Sequence, residues 1–156
     1  MHDVYRKKRI RLRETTYSVS GTVWLVTMGT EGREPCFAND GLATKATDLL
    51  VSVCAHHGAT LIVGCVMPNH VHAVIEVASG NLVSIVRSFK SLVVRQWWES
   101  GESGTLWQRS FHDRGLRTRA DVEATVDYVF QNPVRAGLVV LAENYPYLRG
   151  SVVGDG

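Results

Sequence analysis

Apolar and polar positions along this chain alternate between two periods, two and 3.6. Residues 19–28 are rich in Val, Thr and Trp and predict a strand. Residues 29–40 carry Gly29, Gly32, Pro35, Asn39 and Asp40 and predict a loop. Leu42, Ala46, Leu49, Leu50 and Val53 recur at helical spacing and predict a helix ending near Gly58. Residues 60–67 are apolar throughout, as in a strand buried on both faces. Pro68 and Asn69 make a tight turn, and residues 70–77 return with strict alternation. Leu82, Ile85, Val86, Phe89, Val93 and Trp97 mark a second helix, and residues 111–117 a further strand. Residues 120–132 form a third helix that Pro133 is expected to stop, with a loop-like tail beyond. The order β-α-β-β-α-β-α predicts an α+β, ferredoxin-like (RRM-like) antiparallel sheet with helices on one face and an added C-terminal helix.

The strand at 70–77 is the informative one. Period two puts Val71, Ala73, Ile75 and Val77 on the face that two helices would cover. His70, His72, Val74 and Glu76 share the other, which is expected to point away from the core. Two imidazoles side by side, about 7 Å apart by strand rise, can reach one divalent ion. An isolated His-x-His pair is weak on its own, since exposed strand histidines are common. In the last helix, Val122, Val126, Val129 and Phe130 make the core stripe. Tyr128 lies opposite, with Asn132, Thr125 and Asp121 on its side. A phenol and a carboxamide are thereby available to a single site.

Composition narrows the partner. The 156 residues suit one domain spanning the whole chain, with residues 1–16 as a basic arm. The longest apolar run, 61–67, is too short to span a bilayer, so no membrane association is expected. Cys36, Cys54 and Cys65 are odd in number and form no Cys-x-x-Cys pair, and no secretory leader is read at the start. The expected compartment is the cytoplasm, with Cys65 a small buried hydrophobe. A net charge of +2 hides segregation: residues 1–27 and 87–119 each sum to +4, residues 28–86 and 120–156 each to −3. Basic blocks suit a phosphate-rich partner. The candidate phosphate contacts are Arg6, Lys7, Lys8 and Arg9 in the arm, Arg87, Lys90 and Arg95 on one helix face, and Arg109 and Arg114 beyond it. Trp98, Trp107 and Phe111 lie among them as candidate stacking platforms, and His56 and His57 read as structural.

Three motifs occur in order: Met67-Pro68-Asn69-His70-Val71-His72, then Trp107-Gln108-Arg109-Ser110-Phe111-His112-Asp113, then Tyr128-Val129-Phe130-Gln131-Asn132-Pro133-Val134-Arg135-Ala136-Gly137-Leu138-Val139. Together they resemble the single-tyrosine HUH transposases, and most closely the REP-associated tyrosine transposase branch, relatives of small insertion-sequence transposases. The resemblance implies a ferredoxin-like domain that nicks single-stranded DNA, often beside hairpins, acting as a monomer or homodimer. It implies His70 and His72 as metal ligands and Tyr128 as nucleophile. Asn132 would complete the metal set, with its neighbour Gln131 competing for the role. The implied ion is Mg²⁺ or Mn²⁺, and the implied product is a 5′-phosphotyrosine with a free 3′-hydroxyl.

The chemistry suits these groups. A divalent ion polarises and orients a scissile phosphate. A free tyrosine, with a pKa of about 10, is only roughly 0.1% phenolate at neutral pH and needs help from a metal, a base or a cation. A tyrosine ester keeps the bond energy for rejoining, which hydrolysis would lose. Two other readings compete: a non-catalytic nucleic-acid-binding module on the same fold, and a small metalloenzyme acting on another substrate. The first leaves the histidines and the Tyr128 face without a role; the second leaves the basic blocks and Tyr128 without one.

Overall fold

The computed structural model describes residues 21–78 and 81–150. The basic arm, and with it Arg6, Lys7, Lys8 and Arg9, lies outside the described residues. The elements are β1 (Thr22–Gly29), α1 (Asp40–His56), β2 (Thr60–Met67), β3 (His70–Val77), α2 (Leu82–Glu99), β4 (His112–Leu116), α3 (Arg119–Arg135) and β5 (Leu148–Arg149). Every described pair of neighbouring strands is antiparallel, in the order β4-β1-β3-β2-β5. The expected mixed fold is therefore the observed one.

Each α-helix starts on a capping side chain that accepts an otherwise orphaned backbone N–H. Asn39 Oδ1 accepts from Leu42 N, Asn81 Oδ1 from Val83 N, and Thr118 Oγ1 from Asp121 N. The caps fix where each helix leaves the sheet. For α3 this sets the rotation that presents Val122, Val126 and Val129 inward.

The sheet carries a core on each face. On one, Val26, Met28, Val71, Ala73 and Ile75 meet Leu50 and Val53 of α1 and Phe89 and Val93 of α2. On the other, Val23, Val63, Cys65, Met67 and Val74 meet Val122, Val126 and Val129 of α3. This corrects the expectation that the His70–Glu76 face points away from the core. Val74 is fully buried, and Glu76 is only 5% exposed. An apolar helix stripe needs a sheet partner, and β2, apolar on both faces, supplies it. Only the end of that face bearing the histidines stays half open.

The second correction is at Pro133, which lies inside α3. Two residues from the helix end, its missing N–H costs only the bond to the Val129 carbonyl. The true stop is Gly137, whose φ of 75° lies in the left-handed region that favours glycine. Gly137 N donates to Val134 O at 3.0 Å and Leu138 N to Pro133 O at 2.9 Å, the paired bonds of a Schellman end. The described part of the tail, up to residue 150, is tied to the rest of the fold. The Tyr145 hydroxyl donates to Val66 O at 2.6 Å, Tyr147 to Asp40 Oδ1 at 2.7 Å, and β5 pairs with β2.

Phe89→Ala, emptying the core under α1 and α2, is expected to cost about 3–5 kcal/mol in chemical denaturation. A cost below about 1 kcal/mol contradicts this packing.

Candidate active site

Three elements build the site at the end of the sheet where β3 begins. The register sets His70 opposite Gly29 of β1 and Met67 of β2, and His72 opposite Thr27 and Cys65. Directly opposed residues share a face, so both imidazoles stand on the α3 side. Their ring centroids are 4.6 Å apart with planes at 79°, closer than strand rise alone suggests.

Hydrogen bonds orient both rings. The Asn69 Oδ1 carbonyl lies 2.7 Å from His70 Nδ1, so Nδ1 carries the proton and Nε2 its lone pair. Asn132 Nδ2 donates to that Nε2 at 3.3 Å, across from α3. His72 Nδ1 lies 3.0 Å from Thr27 Oγ1; donation to this hydroxyl frees His72 Nε2 in the same way. A ring held at Nδ1 with the Nε2 lone pair turned toward the site is the arrangement of a metal-binding histidine.

Burial keeps the imidazoles neutral. His72 is lowered to about 4, first by desolvation, then by the charges of His70 and Arg135. His70 is lowered by desolvation and by Arg33. Neutral imidazole is the form that ligates a cation.

Tyr128 of α3 is 51% exposed, and its ring meets His72 edge-on at 6.1 Å between centroids. Asn132, one turn on, reaches His70, as the i, i+4 relation requires. Gln131 is about 100° further round the helix. Its Nε2 is buried without a hydrogen-bond partner. Of these two side chains it is Asn132 that the structure brings to the histidines. Among the described residues no group of three or more His, Cys, Asp or Glu side chains is placed to hold a metal. A cation here would rest on two imidazoles and a carboxamide.

Among the described residues, the basic candidates of α2 do not join the site. Arg87, Lys90 and Arg95 sit on α2, which packs on the opposite face of the sheet. Lys90 is partly withdrawn from solvent: Nζ donates to Gln108 O at 2.9 Å and lies 5.8 Å from the Trp107 ring centroid. Burial also lowers its pKa. Arg114 Nη2 donates to Thr125 Oγ1 at 3.1 Å and fastens β4 to α3. Arg109 is exposed. Trp107 is buried, while Trp98 stands 54% exposed beside Arg95, its indole N–H donating to Gly104 O. His112 is opposite Thr27, on the same face as His72 and exposed.

Sequence reading missed Arg135. Its Cζ lies 3.9 Å from the centroid of the Tyr128 ring. Seven positions beyond Tyr128, it shares that residue's side of the helix. Ending the helix at Pro133 leaves it off that face.

Comparison with known proteins adds the family. Residues 18–132 match the profile of the family described as "Transposase IS200 like". The chain belongs to the IS200-like transposase family. His70, His72, Tyr128 and Asn132 all fall within the matched span; Arg135 lies beyond it. A Haemophilus influenzae protein, provisionally named a REP-associated tyrosine transposase, is 26% identical over 107 residues. That match covers 60% of this chain and 60% of the relative's own length, less than two thirds of it. Two solved structures share the fold. One is a REP-associated tyrosine transposase bound to a REP hairpin (TM-score 0.66, 22% identity, 82% of this chain and 76% of that one). The other is a Deinococcus radiodurans R1 protein provisionally described as a transposase (TM-score 0.54, 18% identity, 78% and 95%). Among the described residues of this family member, no helix is long and apolar enough to cross a membrane.

Above pH 6.5 His72 is uncharged in both folded and unfolded chains. Between about 6.5 and 4 the unfolded chain binds a proton that the folded one refuses. Stability is therefore full above 6.5 and lost as pH falls toward 4, by at most about 1.4 kcal/mol per pH unit from this residue. In metal-free buffer, His72→Gln is expected to flatten the fall in denaturation free energy between pH 7 and 5. An unchanged slope contradicts a neutral, buried His72.

Proposed function

We propose that this chain is a metal-dependent single-stranded DNA endonuclease and strand transferase that works through a covalent 5′-phosphotyrosine at Tyr128, beside hairpin structures. The observation that carries the reading is the contact between the Asn132 carboxamide and His70. It joins the helix bearing Tyr128 to the strand bearing both imidazoles. Family membership supports a transposase chemistry, and the structural neighbour solved with a REP hairpin supports a hairpin-bearing substrate.

His70 Nε2, His72 Nε2 and Asn132 Oδ1 would hold Mg²⁺ or Mn²⁺. Rotation of the Asn132 amide exchanges its nitrogen for the oxygen donor. Imidazole ligands favour Mn²⁺ of the two. When bound, the ion supplies Lewis-acid polarisation and orientation of the scissile phosphate.

The chain's own groups do the rest. The Tyr128 oxygen forms a bond to phosphorus while the P–O3′ bond breaks. The electron pair leaves on O3′, which takes a proton to become a 3′-hydroxyl. The phenol proton passes to solvent, to which the half-exposed ring is open. One phosphodiester replaces another, so a 3′-hydroxyl can attack the phosphotyrosine and rejoin the strand without an external energy source. Thr27 and Asn69 hold the imidazoles in register. The basic arm, Arg109 and the Trp98–Arg95 pair are the groups suited to phosphates and unpaired bases.

Incubation with hairpin-bearing single-stranded DNA and Mn²⁺ is expected to give a protein–DNA band that survives denaturing electrophoresis. Tyr128→Phe should bind the DNA but form no such band, and EDTA should abolish it in the unmodified protein. An adduct in Tyr128→Phe removes the phenol from the role, and activity in EDTA rejects metal chemistry.

A further inference from the structure

Arg135 holds Tyr128 at two points. Seven residues make two helical turns less about 20°, and helical side chains lean toward the N-terminus, so Arg135 folds back along its own helix. Its guanidinium lies over the Tyr128 ring at 3.9 Å, while Nη2 donates to the Tyr128 main-chain oxygen at 2.6 Å. The same ring also meets the His72 imidazole edge-on.

The guanidinium has no further hydrogen-bond partner among the described residues. Arg135 is exposed, and the described ion pair on this helix joins Arg119 to Glu123. Among the described residues no carboxylate lies within ion-pair distance of Arg135. One of its five N–H donors is used among the described residues, by the Tyr128 carbonyl. Arg135 also acts electrostatically on His72. A basic residue near a helix C-terminus favours the helix dipole whatever its neighbours. That effect does not call for a stack on one particular tyrosine.

We propose that Arg135 completes the reaction centre: stacked on Tyr128, it fixes the phenol beside His72 and uses its remaining N–H groups to bind the phosphate that Tyr128 attacks. This rests on the reading of Tyr128 as the nucleophile. A guanidinium suits the task because its planar fork can stack on a ring and still donate to two oxygens. Its part is electrostatic, and it transfers no proton. It meets the negative charge that grows on the non-bridging oxygens as the new O–P bond forms.

Single-turnover nicking of hairpin-bearing single-stranded DNA with Mn²⁺ tests this in the unmodified protein, Arg135→Gln and Arg135→Lys. Arg135→Gln is expected to slow the chemical step about 10²–10³-fold, as loss of one transition-state donor does. DNA affinity should change less than about threefold and the denaturation midpoint little. Arg135→Lys should recover only part of the rate, because an ammonium restores charge without the planar fork. Added methylguanidinium should speed Arg135→Gln and leave the unmodified protein unchanged. A second measurement needs neither DNA nor metal: the Arg135 side-chain protons should show an upfield ring-current NMR shift that Tyr128→Leu abolishes. Wild-type rates in Arg135→Gln, or a rate loss that follows a fall in stability and resists methylguanidinium, overturn the proposal while leaving Tyr128 its role. Absence of the ring-current shift overturns the stack. An unmodified protein that forms no adduct overturns this proposal together with the reading it rests on.

Discussion

Docking of α3 across one face of the sheet is the constraint on which the site depends. Val122, Val126 and Val129 leave water only by packing on Val63, Cys65 and Val74. Because a helix is rigid, that packing also fixes Tyr128 and Asn132, which sit on its flank. The Arg114–Thr125 bond holds the same helix to β4. Where the apolar rows run out, the face carries Thr27, Gly29, His70 and His72. There the polar groups of β1 and β3 lie beside the buried Met67 and Cys65 of β2.

The electrostatics of that end set terms for the proposed cation. Two neutral imidazoles have cationic neighbours, Arg33 and Arg135, among the causes of their lowered pKa values. Among the described residues no acidic cluster balances them. Desolvation is the larger cause for both histidines, and the cations add to it. A site with this balance accepts a dication most readily when an anion arrives with it. A DNA phosphate is such an anion, so the proposed ion and substrate offset each other's charge.

Much of this was legible in the sequence, because its signals were periodic. The alternation in β3 separated Val71, Ala73 and Ile75 from the histidines, and the structure keeps that division. It did not reveal that both faces are covered, since one strand carries no information on what packs against it. β5 is two residues long and gives no period to read. Helical spacing put Asn132 on the side of Tyr128, but left Gln131 open. The cross-helix contact with His70, a tertiary fact, brings Asn132 to the histidines. Arg135 was hidden by a local rule: proline disfavours helix, yet near a C-terminus it removes a single bond and the chain turns on to Gly137. Lys90 matched a basic face by spacing, whereas its amine is tied to the Gln108 carbonyl.

Two imidazoles and the Asn132 carboxamide make up the proposed cation site beside Tyr128. Electron paramagnetic resonance of Mn²⁺ titrated into the protein with a non-cleavable hairpin-bearing strand tests it most directly. One bound ion is expected, lost in His72→Ala, weakened on the order of tenfold or more in Asn132→Ala, and retained in Gln131→Ala and Tyr128→Phe. Mn²⁺ binding indifferent to His72 and Asn132 would contradict this site.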